Sequence, residues 1–339
     1  MINEKTGDVT IDAKVQDIVA DAGDRKGFVL ILAGSPSDEK HIEELHKEFD
    51  RWLIPHDVVV SSAHKMPVAT KKLVQAYNAL EGMMTFVTVA GGTDALSGGV
   101  SFYSNHLTIS SPPDGFNDTC LRNPPHSSNL YILTPAGIAR FIAQQYRGVN
   151  TWIKSIMKEG TKGTLSSIPE GTWVQDQIKS NNGYAVVLAV EEHRPERVSK
   201  LAVSLAGYNV PFTVETFPTN VHRNDIRAKV MEYNALDGSM VYITTHNIFS
   251  YAACDLHSPA LHPMIYLANG SARENCIDSN VANVICPENA ARAVAQMYAS
   301  SNPKIREALE MSIAMKVSEL QTKGPELKRY ANLSPNIKG

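Results

Sequence analysis

The sequence predicts an α/β protein made of two tandem doubly wound parallel sheets. Three observations carry this expectation. Short continuous apolar runs alternate with segments whose apolar residues recur every three or four positions, which is the pattern of strands buried on both faces between amphipathic helices. Several strand ends run straight into turns rich in glycine, serine and aspartate. The pattern also repeats: Tyr77-Asn78-Ala79-Leu80-Glu81-Gly82 recurs as Tyr233-Asn234-Ala235-Leu236-Asp237-Gly238, and Ile54-Pro55 as Val210-Pro211, at one offset of 156 residues. Thr134-Pro135 with Ala143-Gln144-Gln145-Tyr146 recurs as Cys286-Pro287 with Ala295-Gln296-Met297-Tyr298. Matches this long and in the same order imply an internal duplication.

In chain order, residues 1–26 are polar and weakly patterned, an arm before the first strand. Phe28 to Ala33 is a buried-strand run, followed by Gly34-Ser35-Pro36-Ser37-Asp38. A helix then carries Ile42, Leu45, Phe49 and Leu53 on one face,. Asp57 to Ser61 reads as the second strand, and a helix opening at Pro67 carries Leu73, Ala76, Tyr77 and Leu80. Thr85 to Ala90 is the third strand, Leu107 to Ser110 and Asn129 to Leu133 are two more, and Thr134-Pro135 starts a helix with proline in its first turn,. Met157 to Gly183 loses the pattern and reads as a linker, with Trp173 and Val174 able to dock,.

The pattern returns with strands at Tyr184–Val190, Phe212–Phe217, Met240–Thr245, Met264–Ala268 and Val284–Cys286. Helices are marked by Val198, Leu201 and Leu205, and by Ile226, Val230 and Tyr233. Ile305, Leu309, Ile313 and Val317 mark a terminal helix. The expected architecture is therefore two tandem flavodoxin-like three-layer α/β/α domains with parallel sheets, at 27–156 and 184–322, joined by a linker at 157–183 and followed by a tail at 323–339.

Composition narrows the function classes. Of the 339 residues, 43% are hydrophobic and 20% charged, which fits a globular protein with real cores, and the formal net charge of −3 provides no basic footprint for nucleic acid,. No apolar run approaches the roughly 20 residues that cross a bilayer, and the start lacks the apolar core of a signal peptide,. Cys120, Cys254, Cys276 and Cys286 form no Cys-x-x-Cys pair, so neither a disulfide framework nor a zinc ribbon follows,. A reducing cytoplasm is the expected location.

Three strand-end turns carry the chemistry. Ligands in doubly wound sheets bind at the carboxyl ends of the strands. In Gly34-Ser35-Pro36-Ser37-Asp38 the glycine permits close backbone approach, free amides at the helix start attract phosphate, and Asp38 suits ribose hydroxyls,. The same residues also fit a plain helix cap. Ser61-Ser62-Ala63-His64-Lys65 puts hydroxyls, an imidazole and an ammonium at one turn. With a reference pKa of about 6.5, histidine moves protons near neutrality. A solvated turn with an incidental histidine is the plain alternative. The third turn, Ala90-Gly91-Gly92-Thr93-Asp94-Ala95-Leu96, is glycine-rich. Convergence of all three on one rim is the stronger argument.

With these motifs the chain resembles the phosphoribosylaminoimidazole carboxylases, the PurE family. Gly34-Ser35-Pro36-Ser37-Asp38 matches the family's first turn and Ser62-Ala63-His64-Lys65 its second. Lysine after the histidine resembles the class II, CO2-using branch, where the bacterial mutase branch has arginine, and Ala95-Leu96-Ser97 resembles class II as well. The resemblance covers residues 28 to about 155 and extends faintly over the second copy. It implies carboxylation of 5-aminoimidazole ribonucleotide at ring carbon 4 without ATP, biotin, metal or other cofactor.

On that reading His64 shuttles the proton, and Ser35, Ser37 and Ser62 hold phosphate or ribose beside Gly34 and Ala63. Lys65 supplies charge, Asp38 binds the sugar, and the Gly91-Gly92 amides face the forming carboxylate. Family members assemble as octamers with shared sites, which implies a homotetramer for a two-copy chain. N5-carboxyaminoimidazole ribonucleotide mutation, carboxylation of another ribonucleotide, and a non-catalytic nucleotide-binding or scaffold role are the alternatives.

One departure stands out. Class II members usually read Ala-Gly-Arg-Ser-Asn in the third turn, so Gly92 replaces an arginine and Asp94 adds a negative charge near the expected carboxylate,. Arg122, in Asp118-Thr119-Cys120-Leu121-Arg122, is a candidate to compensate. The second copy departs further, with Val190-Glu191-Glu192-His193-Arg194 in place of the first turn, Asn220 in place of His64, and His246-Asn247-Ile248 in the third. His222 lies two residues off register, so the second copy is expected to be catalytically dead. Cys254, His257 and His262 read as a turn rather than a metal site, and His126 as a surface loop able to cover the pocket.

Overall fold

The computed structural model describes residues 8–20, 27–92, 95–115, 118–157, 173–180, 183–191, 193–236, 238–245, 261–268 and 281–323. The first half runs α1 (Ala13–Ala20), β1 (Phe28–Ala33), a 3-10 turn at Pro36–Asp38, α2 (Glu39–Arg51), β2 (His56–Val60), α3 (Pro67–Asn78), β3 (Met84–Val89) and α4 (Ala95–Tyr103). It continues with β4 (Leu107–Ser110), a 3-10 turn at Thr119–Arg122, β5 (Leu130–Tyr131), α5 (Pro135–Tyr146) and α6 (Thr151–Met157). The second half runs α7 (Trp173–Lys179), β6 (Ala185–Val190), α8 (Pro195–Gly207), β7 (Phe212–Phe217), α9 (Arg223–Asn234), β8 (Val241–Thr244), β9 (Met264–Leu267), β10 (Val281–Val284), α10 (Pro287–Tyr298) and α11 (Pro303–Lys323).

The α/β class and parallel pairing are as expected, but the two sheets are one. Strand order is β2-β1-β3-β4-β5-β10-β9-β8-β6-β7. Every pairing is parallel except the junction, where Asn283 of β10 lies antiparallel to Tyr131 of β5. Each half has the 2-1-3-4-5 order of flavodoxin-like sheets,. The junction covers two strand edges that would otherwise present unpaired backbone. Because it is antiparallel, the carboxyl ends of the two sets of strands face opposite margins of the sheet.

Apolar residues on both sides of each strand explain the layers. In β1, Val29, Ile31 and Ala33 join a core shared with α2 and α5, while Phe28, Leu30 and Leu32 join one formed with α1, α3 and α4. The first of these cores continues without a break through β6, β8, α8 and α10.

Equivalent positions in the two halves have equivalent backbones. Leu53 and Asn209, which follow α2 and α8, both have positive φ, 51° and 58°. Gly27 (φ 112°) lies under the Tyr146 ring as Gly183 (φ 92°) lies under that of Tyr298, and a Cβ at either glycine would run into the ring. The arm at 1–26 contains α1, whose Val15 and Val19 are buried. The stretch read as a linker contains α7, where Trp173 meets the Tyr184 ring edge-on at 6.0 Å.

Candidate active site

The ends of β1, β2 and β3 meet at one margin of the sheet through backbone bonds. The Gly34 amide donates to the Val89 carbonyl at 2.8 Å, and the Ser61 amide donates to the Ala33 carbonyl at 2.8 Å. Each strand is thus tied to its neighbour at the point where its loop departs.

In the first loop Ser35 caps the 3-10 turn, its Oγ accepting from the Ser37 amide at 3.2 Å and from the Ser37 hydroxyl at 2.8 Å. With those acceptor sites used, the Ser35 hydroxyl proton remains available to an anion. Asp38 stands at the start of α2 without capping it through its side chain. Partial burial pushes the Asp38 carboxyl above its ordinary pKa, and Asp114 adds to this, while His41 and the Ser35 backbone oppose it.

The second loop is a tight turn in which the Met66 amide donates to the Ser62 carbonyl at 2.7 Å and the Lys65 amide to the Ser62 hydroxyl at 3.4 Å. Ser61 is turned inward, its hydroxyl 2.7 Å from that of Thr70. That arrangement leaves His64 and Lys65 exposed at the tip. In the third loop Gly92 has a φ of 77°, a left-handed conformation that favours glycine, and its amide donates to Asp114 at 3.0 Å,.

A cavity of about 320 Å³ lies among these loops. The first loop contributes Gly34, Ser35, Ser37 and Asp38, the second Ser62, Ala63 and His64, and the third Ala90, Gly91 and Leu96. Lys65, Gly92 and Ala95 adjoin this lining in the chain without forming part of it. Thr93 and Asp94 lie outside the described residues. Arg122 does not reach the cavity; it is exposed and paired with Asp118 at 3.6 Å. A larger groove of about 790 Å³ runs between α8 and α11 and includes none of the strand-end loops.

Sequence reasoning missed three residues here. His41 on α2 lies 2.7 Å from the Ser111 hydroxyl just past β4, and its burial pushes its pKa down against the pull of Glu44 and Asp38. Asp114 anchors the third loop. Only His41 left a signal, since three residues after Asp38 it shares that residue's helix face.

His126 does not cover the cavity. With a φ of 79°, it packs toward α11, Nδ1 lying 3.2 Å from the Ser312 hydroxyl. In the second half His222 caps α9, its Nδ1 accepting from the Asn224 amide at 3.2 Å while Asp225 accepts from the His222 amide at 3.3 Å. Asn220 is exposed. Glu192, His246, Asn247 and Ile248 lie outside the described residues, as do Cys254, His257 and Cys276. His262 is buried with its Nε2 3.4 Å from Arg147. Among the described residues no group of three metal-ligating side chains occurs, and no helix is long and apolar enough to cross a membrane.

The family model described as AIR carboxylase matches residues 28–122, a span that contains all three loops. The phosphoribosylaminoimidazole carboxylase of Treponema denticola is 33% identical over 149 residues, covering 42% of this chain and 94% of that protein. A human bifunctional phosphoribosylaminoimidazole carboxylase/succinocarboxamide synthetase is 32% identical over 149 residues, covering 42% of this chain but only 35% of that longer protein. A probable N5-carboxyaminoimidazole ribonucleotide mutase of Methanobrevibacter smithii is 33% identical over 87 residues, 25% of each chain. The crystal structure of Treponema denticola PurE aligns over 39% of this chain and 90% of its own at 30% identity, with a TM-score of 0.36. With a third of the aligned residues identical across nearly the whole Treponema denticola enzyme, this chain belongs to the AIR carboxylase (PurE) family.

Proposed function

We propose that this protein carboxylates 5-aminoimidazole ribonucleotide with CO2 to 4-carboxy-5-aminoimidazole ribonucleotide, using the first-half cavity and no ATP. The observation that carries the reading is the meeting of three loops, one with paired hydroxyls, one with an exposed imidazole and one with the Gly91 backbone, around one cavity. Ring carbon 4 is enamine-like and already nucleophilic. The protein therefore has to hold the nucleotide, keep CO2 against the carbon and remove one proton.

Ser35, Ser37, Ser62 and the amides before α2 bind phosphate and ribose, with Lys65 supplying positive charge and Asp38 accepting from a sugar hydroxyl. Carbon 4 attacks the CO2 carbon, and the CO2 π electrons move onto an oxygen that becomes carboxylate. The Gly91 backbone stabilises that charge, while the Gly92 amide is held by Asp114. His64 then takes the proton from carbon 4, restoring the aromatic ring.

The mutase reading is favoured by the Methanobrevibacter smithii relative. Incubating the full chain with aminoimidazole ribonucleotide and labelled bicarbonate, and separately with the N5-carboxylated isomer, decides between them. Label incorporation without ATP, lost in His64→Asn, is the expected result, and turnover of the isomer alone would replace carboxylase by mutase. A nucleotide that binds and is never converted would point to the non-catalytic reading. We further infer that the second half is not a catalyst, because His222 is engaged as a helix cap. The assembly inferred is a homotetramer, and light scattering that finds a monomer would refute it.

A further inference from the structure

Arg292 is a fully buried guanidinium, and burial pushes its pKa down only to about 10, so it is charged at neutral pH. Its described partners are all neutral. Nη1 donates to the Ser101 carbonyl at 2.5 Å and to the Ser128 hydroxyl at 2.7 Å, and Nη2 donates to the Phe102 carbonyl at 3.0 Å. The Tyr208 hydroxyl lies against it as well. One turn along α10, Gln296 Nε2 donates to the carbonyls of Ser101 at 3.0 Å and Ser104 at 2.7 Å. One turn back, Asn289 Nδ2 donates to the carbonyls of Asn123 at 3.2 Å and Pro124 at 3.1 Å. Asn289, Arg292 and Gln296 share one face of α10. This stripe of a second-half helix is directed at first-half backbone.

The carbonyls that Arg292 and Gln296 reach are where α4 ends. The last carbonyls of a helix lack partners of their own and carry the negative end of its dipole, so a cation there is favoured. Local sequence provides little else to hold α4. Its nine residues, Ala-Leu-Ser-Gly-Gly-Val-Ser-Phe-Tyr, include two adjacent glycines and two serines, poor helix formers in a segment too short to be helical alone. The opposite end of α4 follows the third loop, and Leu96 in its first turn forms a wall of the cavity. Leu96 and Phe102 lie roughly 9 Å apart along the axis at the standard helical rise.

We propose that Arg292, assisted by Gln296, is a positioning residue for the carboxylation site: from the second half it clamps the end of α4 and so sets where Leu96 and the third loop stand in the first-half cavity. This rests on the reading of that cavity given above. The second half acts on the reaction without touching substrate.

The test compares the full chain with Arg292→Lys and Gln296→Ala. Lysine keeps the charge but cannot span two carbonyls. Three readouts are taken: hydrogen exchange of peptides covering 95–104, calorimetric titration with aminoimidazole ribonucleotide, and steady-state carboxylation. The expected result in Arg292→Lys is exchange in 95–104 faster by about tenfold with second-half peptides over β7 and α9 unchanged. Binding stoichiometry remains full, kcat falls about tenfold and KM moves by less than roughly threefold, because the first two loops still hold the nucleotide. Gln296→Ala shifts the same readouts less, and it carries the test if the lysine variant fails to fold. Wild-type exchange and kcat in a folded variant, or exchange raised equally everywhere, would overturn the proposal. A wild-type chain that neither binds nor carboxylates the nucleotide would instead refute the functional reading, and the 95–104 exchange would still report on the clamp.

Discussion

The Gly92 amide donates to the Asp114 carboxylate at 3.0 Å, so the loop after β4 holds the loop after β3. This tether also brings a negative charge toward Asp38, whose carboxyl it helps push upward after partial burial. Asp114→Asn keeps an acceptor and removes the charge; Asp114→Ala removes both. The Asp38 carboxyl is expected to titrate lower in both variants, as followed by NMR. Carboxylation should stay near wild type in Asp114→Asn and fall about tenfold in Asp114→Ala, where the loop is released. Equal losses in the two variants would assign the effect to charge alone.

Two histidines separate the halves. His64→Asn should lower turnover by about 10²-fold or more, the range for a lost proton-transfer group, with nucleotide binding retained. His222→Ala should leave turnover unchanged and cost about 1 kcal/mol of stability, because it removes the cap of α9,. Kinetics and urea denaturation on both variants check this. Collapse of turnover in His222→Ala would place chemistry in the second half.

Acid should destabilise the protein through His106. Burial pushes this imidazole down to about 4, opposed in part by the Tyr77 backbone, with Arg306 adding to the depression. An unfolded histidine titrates near 6.5, so between these values the unfolded chain binds a proton that the folded chain refuses. Stability is therefore complete above about pH 6.5 and falls as pH drops toward 4, by on the order of 3 kcal/mol. His262, buried beside Arg147, shifts in the same direction. Urea midpoints across this range should fall less steeply in His106→Gln.

Gly27 and Tyr146 form a further testable pair. The Tyr146 hydroxyl donates to the Phe28 carbonyl at 2.6 Å while the ring closes over Gly27. Tyr146→Phe should cost about 1 kcal/mol, the usual net value of a hydrogen bond. Gly27→Ala should cost roughly 2–3 kcal/mol, since it combines positive φ with a clash,. Thermal melts rank the two, and Gly183→Ala under Tyr298 should behave like Gly27→Ala.

Much of this molecule was legible because its signals are local. The apolar run Phe28–Ala33 and the four strand residues Leu107–Ser110 match the observed strands, and Thr134 caps α5 through the Gly137 amide at 3.1 Å. Cavity-lining Gly34, Ser35, Ser37, Asp38, Ser62, Ala63, His64, Gly91 and Leu96 were all candidates from the turns and the family resemblance they carry. His41 with Ser111, Asp114 with Gly92, and Arg292 with Ser101 were not, because these partners stand 70, 22 and 191 positions apart.

The sequence by itself determined the α/β alternation, the recurring segments and the three turns at one margin, since periodicity, caps and turn chemistry act over a few residues. Only the tertiary structure decided that both halves share one sheet through Tyr131 and Asn283, and that a guanidinium from the second half closes the end of α4. Those outcomes depend on covering bare strand edges and satisfying buried backbone carbonyls, requirements that exist only once distant segments have packed.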